Sequence, residues 1–227
     1  MVYDNIYEGI FLERPNRFIA KVLINGSEKL CHVKNTGRCR ELLVFGATVI
    51  VQRCNKTDRK TEYDLIAVYK NGMLINIDSQ APNKVFGEWI KSSGYFGRSA
   101  RIRPECTYKN SRFDFYIEEN DRRIFIEVKG VTLERDGILL FPDAPTERGS
   151  KHLRELSEAI DDGYEAYIFF IIQMKECLYF TPNSDTDKLF SDTLRRVSEK
   201  GVNICALCCD VTPNSLDISD HVKVVLQ

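Results

Sequence analysis

The chain has 227 residues, of which 43% are apolar and 29% are charged. This length can bury a core in one large domain or in two small ones, and the composition argues against long disordered segments. The formal net charge of −1 excludes a globally basic protein, so any binding to phosphate must come from local clusters of basic residues.

The N-terminal sequence has neither a basic start nor a long apolar run, so we expect no signal peptide. The longest apolar stretch, residues 166–174, is far shorter than the ~20 residues that a membrane-spanning helix needs. Of the eight cysteines, Cys205, Cys208 and Cys209 share one apolar strand-like run, where alternating faces prevent them from converging on a metal. These features predict a cytoplasmic protein whose thiols are small buried hydrophobic groups.

The first 81 residues predict short strands separated by turns. Residues 17–24 alternate in polarity and end at Asn25-Gly26, a strong hairpin signal. A short helix is expected near residues 38–43, and the other strands are expected at residues 28–33, 47–53, 63–69 and 73–77. Five short strands within ~80 residues predict a small β-barrel of the OB-like type.

The remaining residues, 82–227, predict a second domain of mixed helices and strands. The expected helices cover residues 84–93, 146–162 and 187–200. The expected strands are an antiparallel meander at residues 105–108, 113–118 and 124–129, followed by buried strands at residues 164–174 and 202–210. This order predicts an α/β (α+β) fold in which helices flank a mixed sheet.

The most informative segment for chemistry is SRFDFYIEENDRRIFIEVKG, residues 111–130. Asp114 lies in one predicted strand, while Glu127 and Lys129 lie two residues apart in the next and share one face. A hairpin can set Asp114 opposite Glu127. Because two adjacent carboxylates repel each other unless a cation lies between them, the pair suits Mg²⁺ or Mn²⁺.

The groups around this pair fit phosphodiester hydrolysis. The Val128 carbonyl could add a metal ligand, and Lys129 could orient or deprotonate the attacking water and stabilise developing negative charge. The alternative is an ordinary strand with mixed charges, since Glu-x-Lys alone is common. The strongly apolar opposite face of both strands, and the turn expected after Lys129-Gly130, favour a functional site.

Asp114 followed by Glu127-Val128-Lys129, a helix and a buried strand resembles the PD-(D/E)xK nuclease superfamily. Five blocks also resemble, in order, the sugar fermentation stimulation protein A family: RPNRFIAKV (14–22), KNTGR (34–38), SRFDF (111–115), IEVKGVTL (126–133) and FPDAPTERGSKHLREL (141–156). The resemblance implies an OB-like domain, a nuclease-like domain and DNA binding. It also implies that an acidic residue of the first helix, here Glu88, completes the metal site; a solvated glutamate is the alternative, and Glu105 is a similar case.

Two groups of residues are candidates for contact with nucleic acid. Arg148, Lys151 and His152 follow a helix start at Thr146-Glu147, where backbone N–H groups and basic side chains attract phosphate. The second group fits an OB-like face that binds phosphates and stacks on bases; it consists of Arg14, Arg17, Phe18, Asn35, Thr36 and Arg38. The alternatives are a solvated helix face and a simple Asn-Thr-Gly turn.

Three functions stay open at this point. The first is a DNA-binding protein, with RNA as a second candidate ligand, that carries a Mg²⁺-dependent nuclease site. The second is a DNA-binding regulator of sugar-utilisation gene expression that keeps the nuclease fold without turnover. The third is a sugar- or nucleotide-binding module, since OB folds also bind oligosaccharides. The set of Asp114, Glu127 and Lys129 favours the first, because two adjacent carboxylates repel phosphate in the absence of metal.

Overall fold

A computed structural model describes residues 1–35, 37–54, 59–175 and 177–226 of the chain. Its first part consists of six strands: β1 (Ile6–Asn16), β2 (Ile19–Ile24), β3 (Ser27–Val33), β4 (Thr48–Arg53), β5 (Tyr63–Lys70) and β6 (Met73–Asn76). β1 pairs with β2 and β4, β2 pairs with β3, and β5 pairs with β4 and, in parallel, with β3. The ring of five strands is a closed barrel, from which β6 extends along β5, and the predicted OB-like barrel is confirmed.

Two details of the barrel differ from the prediction. β1 was not expected from the sequence, although it pairs with two neighbours. The helix expected near residues 38–43 is wrong, because residues 40–42 form a turn. Cys39 has a φ of 46°, a left-handed conformation that a right-handed helix does not accommodate. Leu42 and Leu43 are nevertheless buried, so the turn contributes to the barrel core.

The second part contains three helices, α1 (Ala81–Ser93), α2 (Glu147–Asp161) and α3 (Lys188–Glu199). Its strands are β7 (Arg101–Tyr108), β8 (Ser111–Glu119), β9 (Arg122–Val131), β10 (Leu133–Arg135), β11 (Ile138–Phe141), β12 (Glu165–Ile172), β13 (Tyr179–Pro182), β14 (Asn203–Thr212) and β15 (Ser215–His221). The antiparallel meander of β7, β8 and β9 is confirmed. β10, β11, β13 and β15 were not predicted.

The main sheet of this part has the strand order β15-β14-β12-β9-β8-β7, in which β12 is parallel to both β9 and β14. Its two faces are covered by different helices because successive side chains of a strand alternate. Phe169 of β12 packs with Phe86 of α1 on one face, whereas Phe170 shares a core with Leu153 of α2 and Phe190 of α3 on the other. The predicted α/β domain with a mixed sheet and flanking helices is confirmed.

Buried polar side chains join the barrel to the main sheet. The Gln173 amide, 1% exposed, donates from Nε2 to Asn76 Oδ1 at 2.9 Å and to the Asp78 carbonyl at 3.0 Å. Asp78, also 1% exposed, binds Lys34 Nζ at 2.9 Å. At the N-terminus, Val2 forms an isolated β-bridge with Ser215, the first residue of the edge strand β15. The end of the barrel is therefore held against the end of β12, close to the start of α1.

No helix in the described ranges is long and apolar enough to cross a lipid bilayer.

Candidate metal centre and nucleic-acid surface

Asp114 lies where β8 and β9 separate. The two strands pair from Glu119–Arg122 to Phe115–Ile126, and Asp114 is the next residue beyond the last pair. In place of a strand partner, the Val128 N–H donates to Asp114 Oδ2 at 2.7 Å, and Asn83 Nδ2 at the start of α1 donates to Oδ1 at 2.6 Å. Burial and the neighbouring charge of Glu127 raise the pKa of Asp114 to about 6. The two donors fix the carboxylate without supplying a full positive charge.

Glu127 is a buried carboxylate, 2% exposed, on the same face of β9 as Lys129. Its Oε1 atom contacts both Lys129 Nζ and His152 Nδ1. Burial acts to raise its pKa, but the hydrogen bond from His152 and the charge of Lys129 together lower the pKa below its ordinary value. The Oε2 atom is buried and has no hydrogen-bond partner in the described part of the chain. A buried, charged oxygen without a partner is costly, so we expect an ordered water or a cation beside Oε2.

The structure places His152 beside Glu127 and not on the phosphate-contacting surface expected from the sequence. The residue is 5% exposed. Arg148, one helical turn earlier on α2, directs its Nε–H toward His152 Nε2 at 3.4 Å. This arrangement leaves Nδ1 as the protonated nitrogen, which donates to Glu127 Oε1. His152 therefore fixes the orientation of the Glu127 carboxylate.

Glu88 does not reach the carboxylate pair. Its exposed carboxylate lies 2.8 Å from the Met1 amino group. The residue of α1 that contacts Asp114 is Asn83, five positions earlier, and five residues correspond to a rotation of about 140° around a helix. The expectation of an acidic residue from this helix is thus wrong in this chain. Glu105 lies on β7 between the residues that pair with Phe113 and Phe115 of β8, but its exposed carboxylate pairs with Arg112 at 3.6 Å.

The strand that carries Glu127 and Lys129 does not end at Gly130, as the sequence suggested, but continues to Val131. Gly130 is required by close packing. A Cβ atom at this position would lie 2.6 Å from both Gln173 Oε1 and Pro82 Cγ. The absence of a side chain at this position lets α1 and the end of β12 approach the site closely.

Arg148 and Lys151 have exposed side chains near the start of α2. The helix begins after Thr146, whose hydroxyl accepts the Gly149 N–H at 3.0 Å. Lys151 contacts the Asn110 carbonyl at 3.4 Å and the Glu155 carboxylate at 3.6 Å. These two basic residues therefore remain accessible on the helix that holds His152 against Glu127.

Arg14 and Asn35 organise the loop after β3 instead of facing a ligand. The Arg14 guanidinium donates to four carbonyl groups at 2.6 to 2.9 Å, those of Arg17, Asn35, Gly37 and Arg38. The Asn35 side chain donates to the Ile77 carbonyl at 3.0 Å and accepts from Gly37 N–H at 2.7 Å. Their polar groups are thus used within the protein, which corrects their expected direct contact with nucleic acid.

Three of the expected contact residues in the barrel do face outward. Arg17 and Arg38 are exposed. Phe18 is 44% exposed, and the Arg17 guanidinium lies 4.6 Å from the centre of its ring. This stacked pair has the chemistry of a base- and phosphate-binding surface. Thr36, the remaining candidate, lies outside the described residues.

The chain is similar over its whole length to known proteins. Residues 12–77 match the model of the SfsA N-terminal OB domain, and residues 80–215 match the sugar fermentation stimulation protein RE domain. The sugar fermentation stimulation protein homolog of Desulfitobacterium hafniense (strain DSM 10664 / DCB-2) is 60% identical over 226 residues, which cover 100% of this chain and 99% of the relative. The homolog of Clostridium beijerinckii is 56% identical and covers 100% of both chains.

A solved structure is similar to the whole fold. It is described as Pyrococcus furiosus SfsA in complex with Ca²⁺ and is 28% identical in sequence. The similarity covers 99% of this chain and 98% of that chain, with a TM-score of 0.89. Both the order of the two parts and the packing of one against the other are therefore shared with that protein.

Proposed function

The chain belongs to the sugar fermentation stimulation protein family, and on that premise we propose that it binds DNA and hydrolyses phosphodiester bonds with a divalent metal ion. The ion, Mg²⁺ or Mn²⁺, is held by Asp114 and Glu127. The observation that carries the proposal is Glu127 Oε2, a buried carboxylate oxygen without a hydrogen-bond partner in the described residues. A cation there neutralises this oxygen and the neighbouring Asp114 together.

The available ligands fit a hard cation. Asp114 and Glu127 supply carboxylate oxygens, and the Val128 carbonyl is a further candidate. Within the described ranges, no group of three or more His, Cys, Asp or Glu side chains is placed to hold a metal ion, so water and substrate would have to supply the remaining ligands. Mg²⁺ suits such a site because it is commonly held by one or two carboxylates together with water and substrate phosphate. The solved relative from Pyrococcus furiosus is a complex with Ca²⁺, which also takes oxygen ligands.

Three side chains around the carboxylate pair have separate roles in the proposed hydrolysis. When bound, a divalent ion polarises the phosphoryl oxygen and makes an attacking water easier to deprotonate. The Lys129 ammonium group, held next to Glu127, stabilises negative charge that develops on the phosphate. His152 keeps the Glu127 carboxylate from rotating, and Asn83 does the same for Asp114.

We expect His152→Ala to weaken Mn²⁺ binding by about 10 to 100-fold, the usual effect of removing a group that orients a metal ligand. DNA affinity in chelator should stay unchanged, because the buried imidazole does not reach the surface. His152→Gln, which keeps an N–H donor, should recover part of the loss. The measurement is Mn²⁺ titration by calorimetry, with His221→Ala as the control for an exposed histidine. Equal Mn²⁺ affinity in wild type and His152→Ala would remove the positioning role.

We expect the affinity for duplex DNA to fall steeply as the salt concentration rises. The slope of the logarithm of the binding constant against the logarithm of the salt concentration should be about −0.9 per phosphate contact. Arg148→Ala and Lys151→Ala should each weaken binding to all sequences and reduce this slope by about one contact. Arg154, exposed on the same helix, provides the matched control, because we expect it to be only solvated. The slope is measured by fluorescence anisotropy over a range of salt concentrations. An unchanged slope in both variants would show that α2 does not contact the DNA backbone.

A further inference from the structure

A basic pocket of about 350 Å³ lies on the barrel, where the turn between β1 and β2 meets the loop after β3. It is lined chiefly by Arg14, Asn16, Arg17, Gly37, Arg38 and Arg40. Four of these residues are arginines, and no acidic residue is among the described residues that line the pocket. Its volume lies in the range of small-ligand sites, about 300 to 1,000 Å³.

Within the described residues, no ion pair neutralises the arginines that line the pocket, although the Asp143 carboxylate lies close to Gly37, where an added Cβ atom would meet its Oδ2 atom. Arg14 ties the two segments together through backbone carbonyl groups and therefore keeps its full charge. Arg17, Arg38 and Arg40 are exposed, and none makes an ion pair with another described residue. Asn16 uses Oδ1 to accept the Phe18 and Ile19 N–H groups. Its remaining polar group is a donor, Nδ2.

These features identify the class of ligand. Guanidinium groups form paired hydrogen bonds that match the geometry of a phosphate. A phosphate monoester carries a charge of about −1.5 to −2 at pH 7, more than the single charge of a phosphodiester, so it suits several unpaired arginines around one pocket. A neutral sugar fits less well, because its hydroxyl groups also bind carboxylate acceptors, and none is among the described residues of the lining.

An aromatic side chain flanks the arginines. Phe18, 44% exposed, lies beside Arg17, whose guanidinium is 4.6 Å from the centre of the ring. Stacking of a nucleic-acid base on such a ring is favourable and tolerates any base, because every base has a π-face. The pocket therefore offers a site for a phosphate together with a stacking surface for a neighbouring base.

We propose that this pocket binds the terminal phosphate of a nucleic-acid strand through Arg17, Arg38 and Arg40. This inference rests on the proposed function, which supplies nucleic acid as the ligand class. It adds recognition of the phosphate at a strand end. It also gives Arg40 a role, a residue that the sequence did not single out.

The test is binding in chelator of labelled single strands of about 12 nucleotides, a length within the range that OB folds cover. The strands carry a 5′-phosphate, a 3′-phosphate or hydroxyl groups at both ends. One phosphorylated strand should bind about tenfold more tightly than the hydroxyl strand, as expected for charge-assisted hydrogen bonds. Inorganic phosphate should reduce this preference. Comparison of the 5′-phosphorylated and 3′-phosphorylated strands shows which strand end the pocket prefers.

Arg38→Ala/Arg40→Ala should abolish the preference, whereas Arg38→Lys/Arg40→Lys should keep part of it and Arg101→Ala, an exposed arginine on β7, should keep all of it. Thermal unfolding checks that each variant is folded. Equal binding of all three strands by wild type would overturn the proposal, as would a preference that survives in the folded alanine variant. Because no metal is present, absence of nuclease activity leaves this result unaffected, so failure of the proposed hydrolysis is distinguishable from failure of this inference.

Discussion

Glu127→Gln is expected to abolish metal-dependent cleavage of DNA while leaving DNA affinity in chelator unchanged or higher. The substitution removes the charge and one metal-binding oxygen from the buried site but retains the shape of the side chain. Loss of a group that only orients a ligand already costs about 10 to 100-fold, so loss of the ligand itself should cost more. Without metal, the glutamate repels phosphate, and the amide relieves this repulsion.

Two measurements on the same preparation test this expectation, cleavage of labelled DNA with Mg²⁺ and DNA binding in chelator. Glu88→Gln is the matched control, because Glu88 faces the Met1 amino group and not the carboxylate pair. It should cleave at the wild-type rate. Cleavage by Glu127→Gln at the rate of the control would show that Glu127 does not hold the catalytic ion.

Lys129→Ala is expected to reduce turnover by about 10² to 10³-fold, the usual cost of removing a group that stabilises charge in the transition state. It should not reduce Mn²⁺ affinity, because Lys129 Nζ competes with a metal for the charge of Glu127. DNA affinity should fall slightly through the loss of one positive charge near the phosphate. This combination of effects separates Lys129 from Glu127, whose replacement should remove metal binding and turnover together.

Turnover with Mg²⁺ and Mn²⁺ titration by calorimetry provide the test for Lys129. Lys129→Arg retains the positive charge and should recover part of the turnover, since electrostatic stabilisation does not require the amine itself. If Lys129→Ala lowers Mn²⁺ affinity as strongly as Glu127→Gln does, Lys129 acts by fixing Glu127, and the assignment to charge stabilisation is wrong.

The sequence predicted elements whose polarity pattern is regular. β2 and β3 alternate around the Asn25-Gly26 turn, and both strands lie within two residues of their expected positions. β1 escaped prediction because its pairing with β2 shifts register between Phe11 and Glu13 and again between Glu13 and Asn16, which breaks the two-residue period. The left-handed backbone of Cys39 is incompatible with the helix expected at residues 38–43. The sequence carries no local signal for this conformation, such as a glycine would provide.

Strand geometry was also sufficient to bring Asp114, Glu127 and Lys129 together, because two adjacent strands and a two-residue spacing determine which side chains meet. The rotation of a helix about its own axis cannot be predicted from residue spacing in the same way. Which face of α1 or α2 meets the sheet depends on distant packing. The family resemblance therefore pointed to Glu88 where Asn83 reaches the site, and the basic pattern of α2 assigned His152 to phosphate.

The most direct test of the metal-dependent site is incubation of the purified protein with single- and double-stranded DNA and RNA in Mg²⁺, in Mn²⁺ and in chelator. We expect cleavage of at least one DNA substrate with either ion, none in chelator, and none by Glu127→Gln under any condition. Absence of cleavage of every substrate with both ions, or equal cleavage in chelator, would contradict the account. The first of these results would favour a DNA-binding regulator that keeps the nuclease fold without turnover.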